Sequence, residues 1–453
     1  MNHLKRKIHL RSVVSTGAGL AFATITIVAN VTVGGFTSGN TGWIAILTAG
    51  IVCLLSSFCF AELSGMFPTA AGIRVYLYKA FGEKTAIITA GGYIFVTILS
   101  VGAEAYVLGS VIEALIPSGP PMILWICLTF LLIGYINYRG VTISVFVQDL
   151  LTYSMFIFLT GVSILALFKF GIGYENWYNP FREEGSAEGF VQAVAISIFL
   201  FAGYEWVTPL AEEVEDKTLI SKGMVGAILL LFIVYSLLNV AMISAVPKEV
   251  LMGKKEWIDG VNYGARPHIV FIKVLFGDYQ TLGLIMVGIM SVLASLTSFN
   301  AGILTTSRFL YAMGRDKSMP KVFGKIHMEY FTPYIAVIAL IAVAISVSIV
   351  VFFTNSFKVF PYSGAAIEAL IYIMVALAVY RLRKISPDHP RVFKLWGHNI
   401  VPLFLAVVFS ILFVLVFLGE EKEALYGLYL MISVFGYMVF HVYYIVPKIR
   451  QKK

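Results

Sequence analysis

Charge is scarce in this sequence. Asp, Glu, Lys and Arg make up 13% of its 453 residues, while 59% are hydrophobic and the mean hydropathy is +0.87. No soluble domain of this size could hide so much apolar surface, so the composition points to a polytopic α-helical membrane protein. Cysteine is scarcer still. Cys53, Cys59 and Cys127 all lie in apolar runs and read as small packing residues, not as a disulfide framework or a metal site. The seven histidines are scattered, mostly at loops or span ends, and form no His/Glu metal cluster. No Gly-rich phosphate loop follows a strand, and no Ser or Cys sits in an activating arrangement. No enzymatic chemistry, cofactor or metal is therefore read from the chain.

What is present is a succession of long apolar runs. About twelve spans are predicted, near 13–34, 43–66, 86–115, 120–137, 147–169, 190–212, 222–246, 281–307, 333–353, 361–380, 399–418 and 424–446. With both termini in the cytoplasm, about 24 of the 33 Lys and Arg fall on cytoplasmic segments and about 9 outside, with none at mid-membrane. This satisfies the positive-inside rule and accounts for the net charge of +8 without nucleic acid. The clearest inside clusters are Lys5-Arg6-Lys7, Arg381-Leu382-Arg383-Lys384 and the tail from Lys448. The basic first twelve residues run into the first span without a small-residue cleavage site, so no removable signal peptide is expected. The whole chain, 1–453, reads as one polytopic unit of the plasma membrane. The longer connections near 170–189 and 247–280 are predicted to be extracellular, with Trp257 and Tyr263 as interface anchors.

One stretch breaks the apolar pattern. Phe201-Ala202-Gly203-Tyr204-Glu205 lies inside the run from Gly189 to Leu210. Glycine weakens a helix, and hydrocarbon cannot satisfy the backbone groups a break would free, so the break needs protein or a wet cavity around it. A carboxylate at that depth is costly and reads as functional. Together they predict a discontinuous sixth span with a polar site near the midplane, as in many transporters.

Several separated segments resemble the amino acid–polyamine–organocation (APC) superfamily of secondary transporters. They are Ala61-Glu62-Leu63-Ser64-Gly65-Met66-Phe67-Pro68-Thr69-Ala70-Ala71-Gly72 with Tyr76 and Tyr78, and Asn137-Tyr138-Arg139-Gly140-Val141 with Val147-Gln148. Next come the stretch at Gly203 with Leu210-Ala211-Glu212-Glu213-Val214, and Ser307-Arg308 through Arg315-Asp316 with Met319-Pro320-Lys321 and Thr332-Pro333. Arg381-Leu382-Arg383 with Pro387-Asp388 and Pro390-Arg391 adds a weaker match. Each alone is weak; the ordered set, from about residue 11 to 400, is specific. The resemblance implies an all-α, LeuT-like membrane fold of two inverted five-helix repeats, approximately 11–170 and 190–381, with peripheral helices near 399–447. Helices 1 and 6 would be interrupted, with cargo between them. The arginine-containing cytoplasmic loops would be structural or gating parts.

The resemblance also implies the site. Helix 1 of the family often breaks at Gly-x-Gly. Here Gly17-Ala18-Gly19 lies too early, and spacing from Ala61-Glu62-Leu63 puts the break near Ala23-Thr24-Ile25-Thr26. Those four residues, with Phe199, Phe201, Ala202, Gly203 and Tyr204, are the expected substrate contacts, Phe199 in a position that can stack over cargo. Three acids sit deep: Glu205, Glu104 and Glu368. An ionised carboxylate is costly there, so each is a candidate for carrying a proton or meeting an amine. Packing as neutral, hydrogen-bonded acids is the alternative. The core of helix 5, from Leu150 to Phe168, has no Lys or Arg, so the lysine that some relatives use in place of sodium is absent. Ser295, Thr297 and Ser298 could ligate sodium, although such hydroxyls commonly bond their own backbone. The loop Pro117-Ser118-Gly119-Pro120-Pro121 lacks the cysteine by which some animal relatives join a partner, so no disulfide-linked heavy chain is expected.

The leading expectation is a secondary transporter that moves an amino acid by alternating access, coupled to protons as symport or exchange. A polyamine or other organic cation as cargo, and a transport-inactive sensor on the same fold, remain as alternatives.

Overall fold

The computed structural model describes residues 7–23, 26, 42–116, 118–172, 186–246, 267–354, 356, 359–417 and 422–451. All regular structure among them is helical, apart from one isolated bridge between Ile8 and Val214. The first span appears as α1 (Leu10–Ala21). Then follow α2 (Gly42–Met66), α3 (Gly72–Phe81), α4 (Glu83–Leu115), α5 (Met122–Tyr138) and α6 (Val141–Phe170). The sixth span is α7 (Ser186–Phe201) and a 3-10 segment, Tyr204–Glu212. Beyond it lie α8 (Thr218–Ala245), α9 (Pro267–Phe276), α10 (Gln280–Arg315), α11 (Tyr334–Thr354) and α12 (Val359–Ile385). The last elements are α13 (Ile400–Leu415), α14 (Lys422–Phe440), a π turn at His441–Ile445, and α15 (Val446–Gln451). Nine helical stretches among the described residues are long and apolar enough to cross a membrane, with α5 and α13 shorter apolar helices beside them. Trp257 and Tyr263 lie outside the described residues.

Two predicted boundaries move for one reason. The sequence reading stops the eighth span at 307 and the tenth at 380, where arginines begin. In the structure α10 continues to Arg315 and α12 to Ile385, because Arg308 and Arg383 are buried against acids. The helix α3 was not among the predicted spans.

The centre of the bundle is α1, which packs on α6, α8, α10 and the 3-10 segment. Gly17 and Gly19 lie inside α1 and allow this approach. A Cβ on Gly17 would stand 3.0 Å from the Cβ of Ala227, and one on Gly19 would meet the side chains of Gln148 and Thr152. These two glycines are packing positions.

A buried polar knot ties α5, α6 and α10 together and reaches α1. Asn137 Nδ2 donates to Asn300 Oδ1 (2.9 Å), Asn300 Nδ2 to Gln148 Oε1 (2.8 Å), and Gln148 Nε2 to Thr297 Oγ1 (3.0 Å). Thr152 Oγ1 donates to the carbonyl of Ser15 (3.0 Å). Without hydrocarbon-facing partners, each of these groups needs the others, since an orphaned buried polar group costs about 1–3 kcal/mol.

Charged residues from separate matched segments pair with one another. Glu213 Oε2 accepts from Arg308 Nε at 3.1 Å, with both side chains fully buried. Glu62 accepts from Arg383 Nε at 2.9 Å and from Arg391 Nε at 3.2 Å. Arg315 grips Glu212 through two nitrogens at 2.9 and 2.6 Å, and Arg74 reaches Asp316 at 2.8 Å. The chain before α1 reaches the first of these pairs: the N–H groups of Lys7 and Ile8 donate to the carbonyl of Glu213 at 2.9 and 3.1 Å. At the start of α8, the Thr218 hydroxyl and N–H hold the exposed Asp216 carboxyl below the usual carboxylate range.

Candidate functional site

Helix α1 ends at Ala21 without a glycine. The freed carbonyls are met by side chains. Thr26 Oγ1 lies 2.6 Å from the carbonyls of both Ala21 and Ala23, and the Tyr235 hydroxyl donates to Ala21 at 2.6 Å. Ser298 Oγ donates to the carbonyl of Leu20 at 3.2 Å. Hydroxyls thus take the role that water would play at a solvated helix end. The interruption falls at Ala21–Ala23, beyond Gly17 and Gly19; Thr24 and Ile25 lie outside the described residues.

The second break follows Phe201. Gly203 has φ +125°, a conformation that favours glycine. A Cβ there would stand 3.0 Å from the Cβ of Leu20 and 3.3 Å from the N of Ala21. The two breaks therefore touch, and a missing side chain makes the contact possible. Beyond Gly203 the chain turns into the 3-10 segment, where Trp206 N donates to the carbonyl of Gly203 at 3.1 Å.

Between the breaks lies a cavity of about 40 Å³. Holding one water takes at least about 10–15 Å³, so the cavity in this conformation is of water size. Helix 1 contributes Leu20, Ala21, Ala23 and Thr26, and α4 contributes Val96, Thr97, Ser100 and Ala103. The sixth span contributes Phe199, Ala202 and Trp206, with Ser298 from α10 and Glu368 from α12. Trp206 is stacked on Tyr93, with ring centroids 3.6 Å apart.

The expected site residues separate into groups. Ala23, Thr26, Phe199 and Ala202 line the cavity. Gly203 stands behind it at the contact between the breaks. Phe201 is buried edge-on against Tyr235 at 5.9 Å, and Tyr204 edge-on against Phe60 at 5.9 Å; neither lines the cavity. Trp206 was not singled out from the sequence, nor were Val96, Thr97, Ser100 and Ala103. The last three recur every three residues on α4, a spacing that marks one helix face, but nothing in it says which face meets a cavity.

The three deep acids also part company. Glu205 Oε2 accepts from the N–H of Gly203 (3.2 Å) and from the Tyr372 hydroxyl (2.9 Å). It caps the 3-10 segment as an anion caps a helix start. Its Oε1 is buried and has no partner among the described residues. Glu104 Oε1 accepts from Ser295 Oγ across α4 and α10. Glu368 lines the cavity, and among the described residues its carboxyl makes no hydrogen bond. Ser295 and Ser298, the candidate sodium ligands, donate to different acceptors, Glu104 and Leu20. Thr297 belongs to the polar knot.

A membrane-spanning bundle with two facing helix breaks around a small cavity is the architecture of a permease. The chain belongs to the amino acid permease family, whose family model matches residues 9–440. It is 24% identical to the branched-chain amino acid permease BcaP of Bacillus subtilis (strain 168), over 96% of this chain and 93% of that one. It is 25% identical to the methylthioribose transporter of the same organism, over 70% of this chain and 69% of that one. The human large neutral amino acids transporter small subunit 2 is 24% identical over 85% of this chain and 71% of its own length.

Proposed function

We propose that this protein carries an amino acid across the cell membrane by alternating access, with both termini in the cytoplasm and a proton as the coupling ion. The observation that carries the reading is the cavity bounded by both helix breaks. Carbonyls left at a half-helix end favour an ammonium, and N–H groups at a half-helix start favour a carboxylate. An α-amino acid offers both at fixed separation. The two five-helix repeats, approximately 11–170 and 190–381, would rock around this point, with the helices near 399–447 at the periphery. The relatives above differ in the cargo their names give, so likeness supports the permease class and leaves the side chain to be read from the cavity.

Glu205 is the acid we assign to the proton. Its Oε2 is anchored at the break, its Oε1 has no partner among the described residues, and protonation there changes the charge at the joint between the two half-helices. The test is uptake by purified protein in liposomes, with amino acids and amines offered under proton and sodium gradients. An inward proton gradient should accelerate amino acid uptake, a sodium gradient should not, and Glu205→Gln should remove the acceleration. Sodium-driven uptake, or an undiminished proton effect in Glu205→Gln, would contradict the assignment.

A further inference from the structure

We propose that Glu368 selects the cargo's side chain, and that the cargo is an amino acid bearing a positive charge at the end of that side chain. This rests on the reading that amino acids bind between the breaks. Among the described residues, Glu368 is the one charged residue lining the cavity. It is 7% exposed, and its carboxyl makes no hydrogen bond among the described residues. Glu205, by contrast, is already engaged by the Gly203 N–H and the Tyr372 hydroxyl. A buried carboxylate without a partner is expensive, and among the described residues no Lys, Arg or His lines the cavity to pair with it. A cation on the cargo removes that cost.

Two further features of the wall suit the same group. Thr97 is 3% exposed and its Oγ1 has no partner among the described residues, so it can accept a hydrogen bond from an ammonium. Trp206 and Phe199 bring aromatic rings to the cavity, and such rings attract cations, most strongly when water is excluded. With the helix breaks taking the α-amino and α-carboxylate groups, Glu368 is the lining group left to meet the charged tip of the side chain.

The probes are matched pairs of equal carbon chain in which a hydrogen replaces the terminal ammonium: ornithine against norvaline, and lysine against norleucine. Wild-type protein in liposomes should take up ornithine or lysine in preference to its neutral partner. In Glu368→Gln the ratio of kcat/KM, charged to neutral, should fall at least about thirtyfold, as when one member of a buried charge pair is lost. Should Glu368→Gln fail to purify as a monodisperse protein, the wild type decides. Thermal stabilisation by ornithine or lysine but not by norvaline or norleucine supports the inference, and the reverse overturns it. A wild type that prefers the neutral members, or a variant whose ratio is unmoved within about twofold, also overturns it and leaves the amino acid permease reading intact. A wild type that moves and binds no amino acid overturns that reading itself.

Discussion

Replacing Gly203 by valine should reduce amino acid uptake to background while leaving a membrane-inserted protein. At φ +125° a β-branched residue is strained, at a cost of about 1–3 kcal/mol. Its Cβ would also be driven to within 3.0 Å of the Leu20 Cβ, and the two γ-methyls need more room still. Relief requires the two breaks to move apart, and those breaks bound the cavity. Insertion depends on the apolar spans, which the substitution leaves unchanged, so the variant should still elute as a monodisperse species in detergent. Gly203→Ala should fall between wild type and Gly203→Val. Normal uptake by Gly203→Val would mean that the contact at Leu20 plays no part in the transport cycle.

The largest loss of stability should come from splitting the pair Arg308–Glu213. Both side chains are fully buried, so removing one leaves a charge without its partner in a low-dielectric interior, at a cost of about 3–5 kcal/mol. Arg308→Met and Glu213→Gln should each lower the thermal transition sharply. The double variant should recover much of the loss, because replacing both partners removes the orphaned charge as well as the bond. The exposed pair His9–Glu215, at 2.9 Å, is the internal control: surface pairs contribute about 0–1 kcal/mol, and His9→Ala should shift the transition little. Single variants at Arg308 and Glu213 that behave like His9→Ala would contradict the assignment of this pair as a structural tie.

Much of this architecture is legible in the sequence, and the reasons differ from residue to residue. Gly203 announces its break through its company, a carboxylate two residues on inside an apolar run; glycine alone would not, because it also serves close helix packing. The break after α1 gives no such signal. There the freed carbonyls are satisfied by Thr26 from the next turn and by Tyr235 and Ser298 from α8 and α10, and long-range partners leave no local trace. Spacing from a matched segment pointed to the right neighbourhood, whereas the visible Gly17 and Gly19 serve close packing. The charged residues of the matched segments were legible as a set, but not their pairing, since Glu62 and Arg383 lie far apart along the chain. Their pairing is also why α10 and α12 run past the point where charge seemed to end the span.

The deep acids show the limit most clearly. Glu205, Glu104 and Glu368 look alike in the sequence, each a lone carboxylate in an apolar run. Only the fold separates a helix cap, a partner of Ser295 and a cavity wall. Nothing in the sequence sets Trp206 apart, because an aromatic in an apolar span is ordinarily core. Its place in the cavity follows from the turn into the 3-10 segment at Gly203, which periodicity of a regular helix cannot anticipate.

The most direct test of an amino acid site between the two breaks is counterflow. Liposomes holding the purified protein are loaded with a mixture of unlabelled amino acids, and the entry of a trace of each labelled amino acid is followed. Wild-type protein should accumulate at least one label transiently above its external concentration, and Gly203→Val should accumulate none. Monodisperse wild-type protein that exchanges no amino acid, or Gly203→Val that exchanges as fast as wild type, would contradict it.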